Sequence, residues 1–455
     1  MKRKIYQDLL DWKKNRKGEV ALLIEGARRI GKSYIVEEFA RKEYDSYILV
    51  DFSKVNPVVY EFFDLYLDDL DTIFQNLELY FKKKLMPRVS DGEAHSLIIF
   101  DEVQFCPRAR SAVKYLVADR RFDYIETGSL ISIKKNVKGI MLPSEEHAIQ
   151  MYPMDFEEFL WAMGDEMMMP YICARFEDMR PMGLFHRKAM DYFRQYMIVG
   201  GMPQAVGKYV VTRDFEKVDE VKRDIIDLYR NDIKKYADNQ ETKVSAIFEE
   251  IPGQLQKHEK KFRLSALNEA ARMRDYSEAF FWLGDAKVVN CCYNSTEPSL
   301  GLRLNEDRTT VKCYLNDTGL LISLAFDERG IVSEDLYRKL MFDKLEVNQG
   351  MLVENIVAQM LTAAGYKLFF FGNSSKTSAE DRMEIDFLIA KYCITSRHNI
   401  SPVEVKSGPR YSLTSLYKCI AKYGRSLATP YVLHDKDLKI EDGIVFLPLY
   451  MTPLL

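Results

Sequence analysis

Eight residues near the start of the sequence, Gly26-Ala27-Arg28-Arg29-Ile30-Gly31-Lys32-Ser33, follow G-x-x-x-x-G-K-[ST], the spacing of a loop that wraps nucleotide phosphates. Each residue type has its own task. The glycines let the backbone turn tightly with its N–H groups aimed inward, Lys32 reaches the β/γ-phosphates, and the Ser33 hydroxyl can ligate Mg²⁺. Contacts to the nucleotide are therefore expected from Gly26 through Tyr34. Two carboxylates further on, Asp101 and Glu102, end the apolar run Ser96-Leu97-Ile98-Ile99-Phe100. Asp101 is the candidate for holding Mg²⁺, directly or through water, and Glu102 for polarising an attacking water as general base. Solvated acids at the end of a strand are the plainer alternative.

These groups need a scaffold that brings them to one place. Val20–Glu25 reads as a buried strand and Ser33–Ala40 as a helix, so the glycine loop falls between a strand and a helix whose positive end faces the phosphates. Ser96–Glu102 reads as a second strand of the same parallel sheet, since such strands deliver their C-terminal ends to one ligand-binding edge. A third, Phe122–Ser129, follows the helix-like stretch Ser111–Val117 and closes with Thr127 and Ser129. Either hydroxyl could sense the γ-phosphate or place the water; a glycine-containing turn is the alternative.

The loop, then Ile98-Ile99-Phe100-Asp101-Glu102-Val103-Gln104, Thr127-Gly128-Ser129-Leu130 and Tyr152-Pro153-Met154-Asp155-Phe156-Glu157-Glu158-Phe159-Leu160, resemble the AAA-type ATPases of bacteria and archaea that carry a C-terminal domain of unknown function. The likeness extends through Gly200-Gly201-Met202-Pro203 and Val221-Lys222-Arg223-Asp224-Ile225 to the far end of the chain. It implies ATP, rather than GTP, as the nucleotide, and no guanine-reading N-K-x-D stretch opposes this. Related chains place an arginine shortly before P-x-x-F-x-E-F, whereas Gly139 to Tyr152 contains none. An arginine acting on the γ-phosphate must then come from elsewhere, with Arg28, Arg29, Arg108, Arg110 and Arg120 available.

In the middle of the chain, Met163 to Pro181 is rich in methionine and reads as a loop or lid packed on core. Asp214 to Asn239 is a charged helical region with Val218, Val221, Ile225 and Leu228 at 3–4 spacing. Two helical stretches, 263–271 and 278–283, precede strand-like Lys287–Tyr293 and Lys312–Leu315. That order resembles a winged helix. Between Lys257 and Arg274 six Lys/Arg stand against two Glu, a local surplus that could face a phosphate backbone. A solvated helix face or a protein-docking module is the alternative.

Near the C-terminus, Met351–Leu361 reads as an amphipathic helix followed by strands at 367–371, 384–389 and 402–407. Asp386 lies between apolar neighbours, and Glu404 and Lys406 alternate with Val403 and Val405, so both face one side. Clustered carboxylates can hold a hard divalent ion, and a nearby lysine can activate water for attack on a phosphodiester. The arrangement looks like a PD-(D/E)-x-K nuclease core, with Glu354 as the helix acid, Asp386 as the first strand acid, and Glu404 with Lys406 as the pair. A salt-bridged face without activity is the alternative.

The expected class is thus α/β: a P-loop AAA-type ATPase domain over 1–160, a helical lid or linker over 161–240, a winged-helix-like domain over 241–335 and a nuclease-like α/β domain over 336–455. A length of 455 residues suits several domains, and 47% hydrophobic with 29% charged residues suits a soluble protein. The net charge of −3 excludes a whole-chain basic footprint, so any DNA contact must be local. No secretory signal or membrane-spanning run is read. Seven scattered cysteines without a C-x-x-C pair suit a reducing cytoplasm. The expected activity is Mg²⁺-dependent ATP binding and hydrolysis coupled to DNA, in a chain that could form a homo-oligomer. The alternatives are a nucleotide-gated switch that docks a protein partner and an ATP-regulated, metal-dependent nuclease.

Overall fold

A computed structural model describes residues 1–89, 92–129, 144–237, 239–257, 261–326, 334–341, 349–373, 381–390, 399–408 and 411–455. The chain divides into two compact units, one formed by Met1–Tyr152 with Asp285–Lys287, the other by Pro153–Gly284 with Val288–Leu455.

In the first unit, α1 (Ile5–Arg16) precedes β1 (Ala21–Glu25), α2 (Lys32–Glu43), β2 (Ser46–Asp51), α3 (Val58–Leu65), α4 (Leu70–Phe81), β3 (Ser96–Asp101), α5 (Pro107–Asp119), β4 (Asp123–Gly128) and β5 (Glu146–Gln150). The strands form one sheet in the order β2-β3-β4-β1-β5, and every adjacent pair is parallel. Strands covered on both faces carry apolar runs rather than alternation, as Leu97–Phe100 of β3 demonstrates; β4 is also buried along its whole length, although it includes Asp123, Glu126 and Thr127. The register aligns Asp51 with Asp101 and Ile24 with Thr127, so the chemically capable residues reach a common C-terminal edge. Phe52, Phe63, Phe100 and Tyr124 form much of the core on one face.

The second unit begins with helices Phe156–Ala162, Met168–Glu177, Phe185–Val199, Pro203–Thr212, Phe215–Tyr236 and Glu241–Gln256. The expected lid methionines Met168 and Met169 are buried there, while Met167 is exposed. Next come β6 (Val289–Ser295), β7 (Glu306–Leu315), β8 (Phe369–Asn373), β9 (Met383–Ala390), β10 (Ile400–Val405), β11 (Tyr431–His434), β12 (Lys439–Glu441) and β13 (Ile444–Pro448). They share one sheet, in the order β12-β13-β11-β10-β9-β8-β6-β7.

This sheet departs from the expected division at 335. The β6–β7 hairpin is not a separate wing: β6 runs parallel to β8 and joins the C-terminal strands. Nor does 263–271 form a helix. Its start is held extended, with the Phe262 N–H on the Val311 carbonyl at 2.7 Å and the Arg263 N–H on the Gln254 side chain at 2.8 Å, leaving a single turn at Leu264–Ala266. The second expected helix is present as Met273–Asp285. The helix Gln349–Ala363 lies near β6, β7 and β10.

Candidate functional site

The phosphate-loop geometry begins where β1 ends. A side chain at Gly26 would meet the Met151 carbonyl oxygen and the Ile30 Cδ1, each at 2.4 Å, so only glycine fits. Gly31, at φ 92°, sets the left-handed turn from which α2 starts at Lys32. Ile35, Val36, Phe39 and Ala40 bury one stripe of α2 and fix its N-terminus at the sheet edge.

Lys32 is buried and donates to the carbonyls of Gly26 (3.0 Å) and Ala27 (2.9 Å), which closes the loop on itself. Burial pulls its ammonium down to about 8, against the opposing attraction of Glu102 and Asp101. The Ser33 hydroxyl donates to Asp101 Oδ1 at 2.8 Å, and the Thr127 hydroxyl donates to the same oxygen. Burial raises the proton affinity of Asp101, and these two hydroxyls counter it. Glu102 is half-buried in a left-handed turn at φ 52° and accepts from the Gln104 amide. The structure thus brings Lys32, Ser33, Asp101, Glu102 and Thr127 together from α2, the C-terminal end of β3 and β4. Tyr34 is 58% exposed on α2.

A serine oxygen beside a carboxylate is the oxygen-only donor set that suits Mg²⁺, an ion that usually keeps several waters. The residues present therefore fit that ion. Arg110 is committed elsewhere, donating to both Glu146 oxygens at 2.9 Å on the buried side of α5. Of the expected motifs, Leu130 and the stretch 130–143 lie outside the described residues.

Three residues escaped the sequence reading. Arg3 donates to the Ile30 carbonyl at 2.9 Å and to the Tyr152 carbonyl at 2.7 Å. Asp51, register partner of Asp101, gathers Ser53 and Lys54, and Gln104 holds Glu102. The adjacency of the parallel strand ends could have flagged Asp51; nothing local marks Arg3.

In the second unit Glu354, Asp386, Glu404 and Lys406 also meet on one face. Asp386 Oδ2 accepts from the Val405 N–H at 2.8 Å, and Lys406 lies 2.5 Å from Glu404 Oε2. Two residues not foreseen stand among them. Lys312 of β7 lies 3.1 Å from Glu354 and 3.0 Å from Glu384, and Tyr314 donates to Glu354. Their i, i+2 spacing with a neighbour on the same strand was the available signal.

Residues 19–160 match the AAA domain family. Fold, loop and paired strand-end residues together have the arrangement of an AAA-type P-loop domain. Residues 190–330 and 349–452 match two families described only as domains of unknown function, DUF8612 and DUF4143. Among solved structures, the chain is similar to the Walker-type ATPase PABY2304 of Pyrococcus abyssi (13% identity, 71% of this chain and 95% of that one, TM-score 0.41). It is also similar to Cdc6p from Pyrobaculum aerophilum (12% identity, 76% and 96%, TM-score 0.24). Neither superposition is close enough to carry functional weight. No curated protein matches the chain.

Among the described residues no helix is long and apolar enough to cross a membrane. Cys106, Cys173, Cys291, Cys292, Cys313 and Cys419 are free thiols, and Cys393 lies outside the described residues.

Proposed function

We propose that the first unit binds ATP with Mg²⁺ and hydrolyses it. The observation that carries this reading is the convergence of Ser33 and Thr127 on one oxygen of Asp101, with Ser33 next in the chain to the buried Lys32. When bound, Mg²⁺ would neutralise charge on the phosphates. Ser33 and Asp101 hold it. Lys32 leaves the Gly26 and Ala27 carbonyls for the phosphate oxygens, where its charge, together with the loop N–H groups, stabilises charge that grows during transfer. Glu102, steadied by Gln104, accepts the proton of the attacking water.

The reading extends to an event in the second unit that follows turnover. DNA is the macromolecule that the local surplus at 257–274 supports. Lys261 and Arg263 of that stretch are exposed and line a cavity of about 320 Å³ with Thr310, Asn373 and the acidic Asp307 and Glu384. A homo-oligomer belongs to the same proposal, as the source of an arginine for the γ-phosphate.

The test is steady-state phosphate release with calorimetric ATP binding. Lys32→Ala should abolish binding, and Glu102→Gln should keep binding while lowering turnover by about 10²–10⁴-fold. Binding unchanged in Lys32→Ala sinks the reading. Stimulation of release by duplex DNA tests the extension separately.

A further inference from the structure

A nuclease-like core implies a divalent ion held by Glu354, Asp386 and Glu404. The side chains around these acids do not suit one. Among the described residues no three acidic, histidine or cysteine groups converge on a metal-sized space. A cation is nevertheless present, and it belongs to the chain. The Lys312 ammonium stands 3.1 Å from Glu354 Oε1, 3.0 Å from Glu384 Oε1 and 4.0 Å from Asp386 Oδ1.

We propose that Lys312 is the resident cation of this cluster and that the C-terminal module holds its acids together without a divalent ion.

Four carboxylates from three elements, Glu354 on the helix Gln349–Ala363, Glu384 and Asp386 on β9 and Glu404 on β10, repel one another unless positive charge lies between them. A divalent ion does this with oxygen ligands at about 2.0–2.6 Å. An ammonium does it with N–H donors at hydrogen-bond distance, as Lys312 does to Glu354 and Glu384 here, while Asp386 at 4.0 Å is held by charge alone. The two solutions exclude each other, because an ion seated between Glu354 and Asp386 would face the Lys312 charge across the same oxygens.

Lys312 has no easy way out. It sits within β7, paired with Cys292 of β6, and its side chain is 7% exposed with the ammonium 5.2 Å from the Phe370 ring centre. Burial alone would discharge it, but Glu354, Glu384 and Asp386 outweigh burial and hold its proton affinity well above the ordinary lysine value. Glu354 Oε1 has a second partner in the Tyr314 hydroxyl, so that oxygen is already engaged by two donors. On the far side Lys406, the lysine of the expected catalytic pair, is bound to Glu404. The cluster therefore has its own counter-charges: Lys312 for Glu354, Glu384 and Asp386, and Lys406 for Glu404.

The test is Mn²⁺ binding, read from loss of the free-ion electron paramagnetic resonance signal. It uses the full-length chain carrying Asp101→Asn, so that the P-loop carboxylate takes no ion. The expected result is no uptake at the cluster. Adding Lys312→Met should then create one Mn²⁺ site, which a further Asp386→Asn removes. Uptake by the Lys312 chain that Asp386→Asn abolishes overturns the proposal, and so does a folded Lys312→Met chain that binds no ion. Uptake that Asp386→Asn leaves untouched is binding elsewhere and agrees with the proposal. If Lys312→Met does not fold, the Lys312 chain with and without Asp386→Asn decides alone by the same criteria.

Discussion

Arg3 donates to the carbonyl of Ile30, inside the phosphate loop, at 2.9 Å, and its other terminal nitrogen holds the Tyr152 carbonyl at 2.7 Å. Arg3 as a whole is 7% exposed, so the fork is largely shielded from solvent. A rigid fork spans two acceptors where a lysine, a single point charge, serves one well.

Arg3→Ala should therefore loosen the loop without touching the groups that do chemistry. A hydrogen bond to a charged group contributes about 1.5–3 kcal/mol, part of which is the cost of a stranded carbonyl. The expected result is a KM for ATP raised several-fold with kcat changed less, and Arg3→Lys should recover part of the loss. Equal falls in kcat for both variants, with KM unchanged, would contradict a positioning role.

Lys32 gives ATP affinity a pH dependence with a definite sign. Its ammonium is pulled down to about 8 in the nucleotide-free fold, chiefly by burial. The triphosphate requires the charged form and raises its proton affinity. Affinity is thus complete below about pH 8 and falls above it, by up to about tenfold per pH unit, with a proton taken up on binding. Stability of the nucleotide-free fold moves the other way. Between about 8 and the ordinary 10.5 the unfolded chain holds more of this proton, so this group's contribution rises with pH. Calorimetry in buffers of different ionisation enthalpy measures the proton uptake directly; none at pH 9 rules the assignment out.

How much of this was readable in the sequence depended on whether a contact is local. Gly26 to Ser33 act within one turn, so residue types and spacing sufficed, and the apolar runs of β1 and β3 pointed to a parallel sheet because both faces are covered. Arg3 lies 149 residues from Tyr152, and no periodicity links them. The hairpin at 289–315 was legible as two strands, but its membership of the C-terminal sheet rests on β6 pairing with β8, a contact between distant segments. The reading of 263–271 as a helix failed where Phe262 and Arg263 pair in extended form with Val311 and Gln254, contacts that no local spacing of 263–271 reveals. For the acidic face, alternation placed Glu404 and Lys406 on one side of a strand and the likeness to a nuclease core added Asp386, while Lys312 arrives from another strand across the sheet.

The buried network around Asp219 predicts where the second unit is most easily broken. Asp219 is fully buried, accepts from Ser323, Tyr337 and Arg223, and lies near Lys222, which donates to the Ile198 carbonyl and Tyr337. Burial pulls Lys222 down to about 8, with Asp219 the main opposing influence. Removing the carboxylate leaves buried positive charge uncompensated. Asp219→Ala should cost about 3–5 kcal/mol, read as a lowered urea midpoint. Changing Lys222 to Met in the same chain should recover part of that loss, which a simple cavity effect would not allow.

Thr127 separates two roles that a hydroxyl at this edge can play. In one it touches the γ-phosphate during transfer; in the other it serves Asp101. It is buried and donates to the same Asp101 oxygen as Ser33 does, and both donors oppose the rise in proton affinity that burial imposes on that carboxylate. Replacing it by valine keeps the volume and removes one donor, so Asp101 should take up its proton at a higher pH. Because the metal needs the ionised form, the acid limb of the rate profile should move to higher pH. The Mg²⁺ concentration for half-maximal rate should rise near that limb. At alkaline pH the rate should approach that of the unmodified chain. A uniform loss of kcat across the whole profile, with the acid limb in place, would assign Thr127 to the phosphate instead.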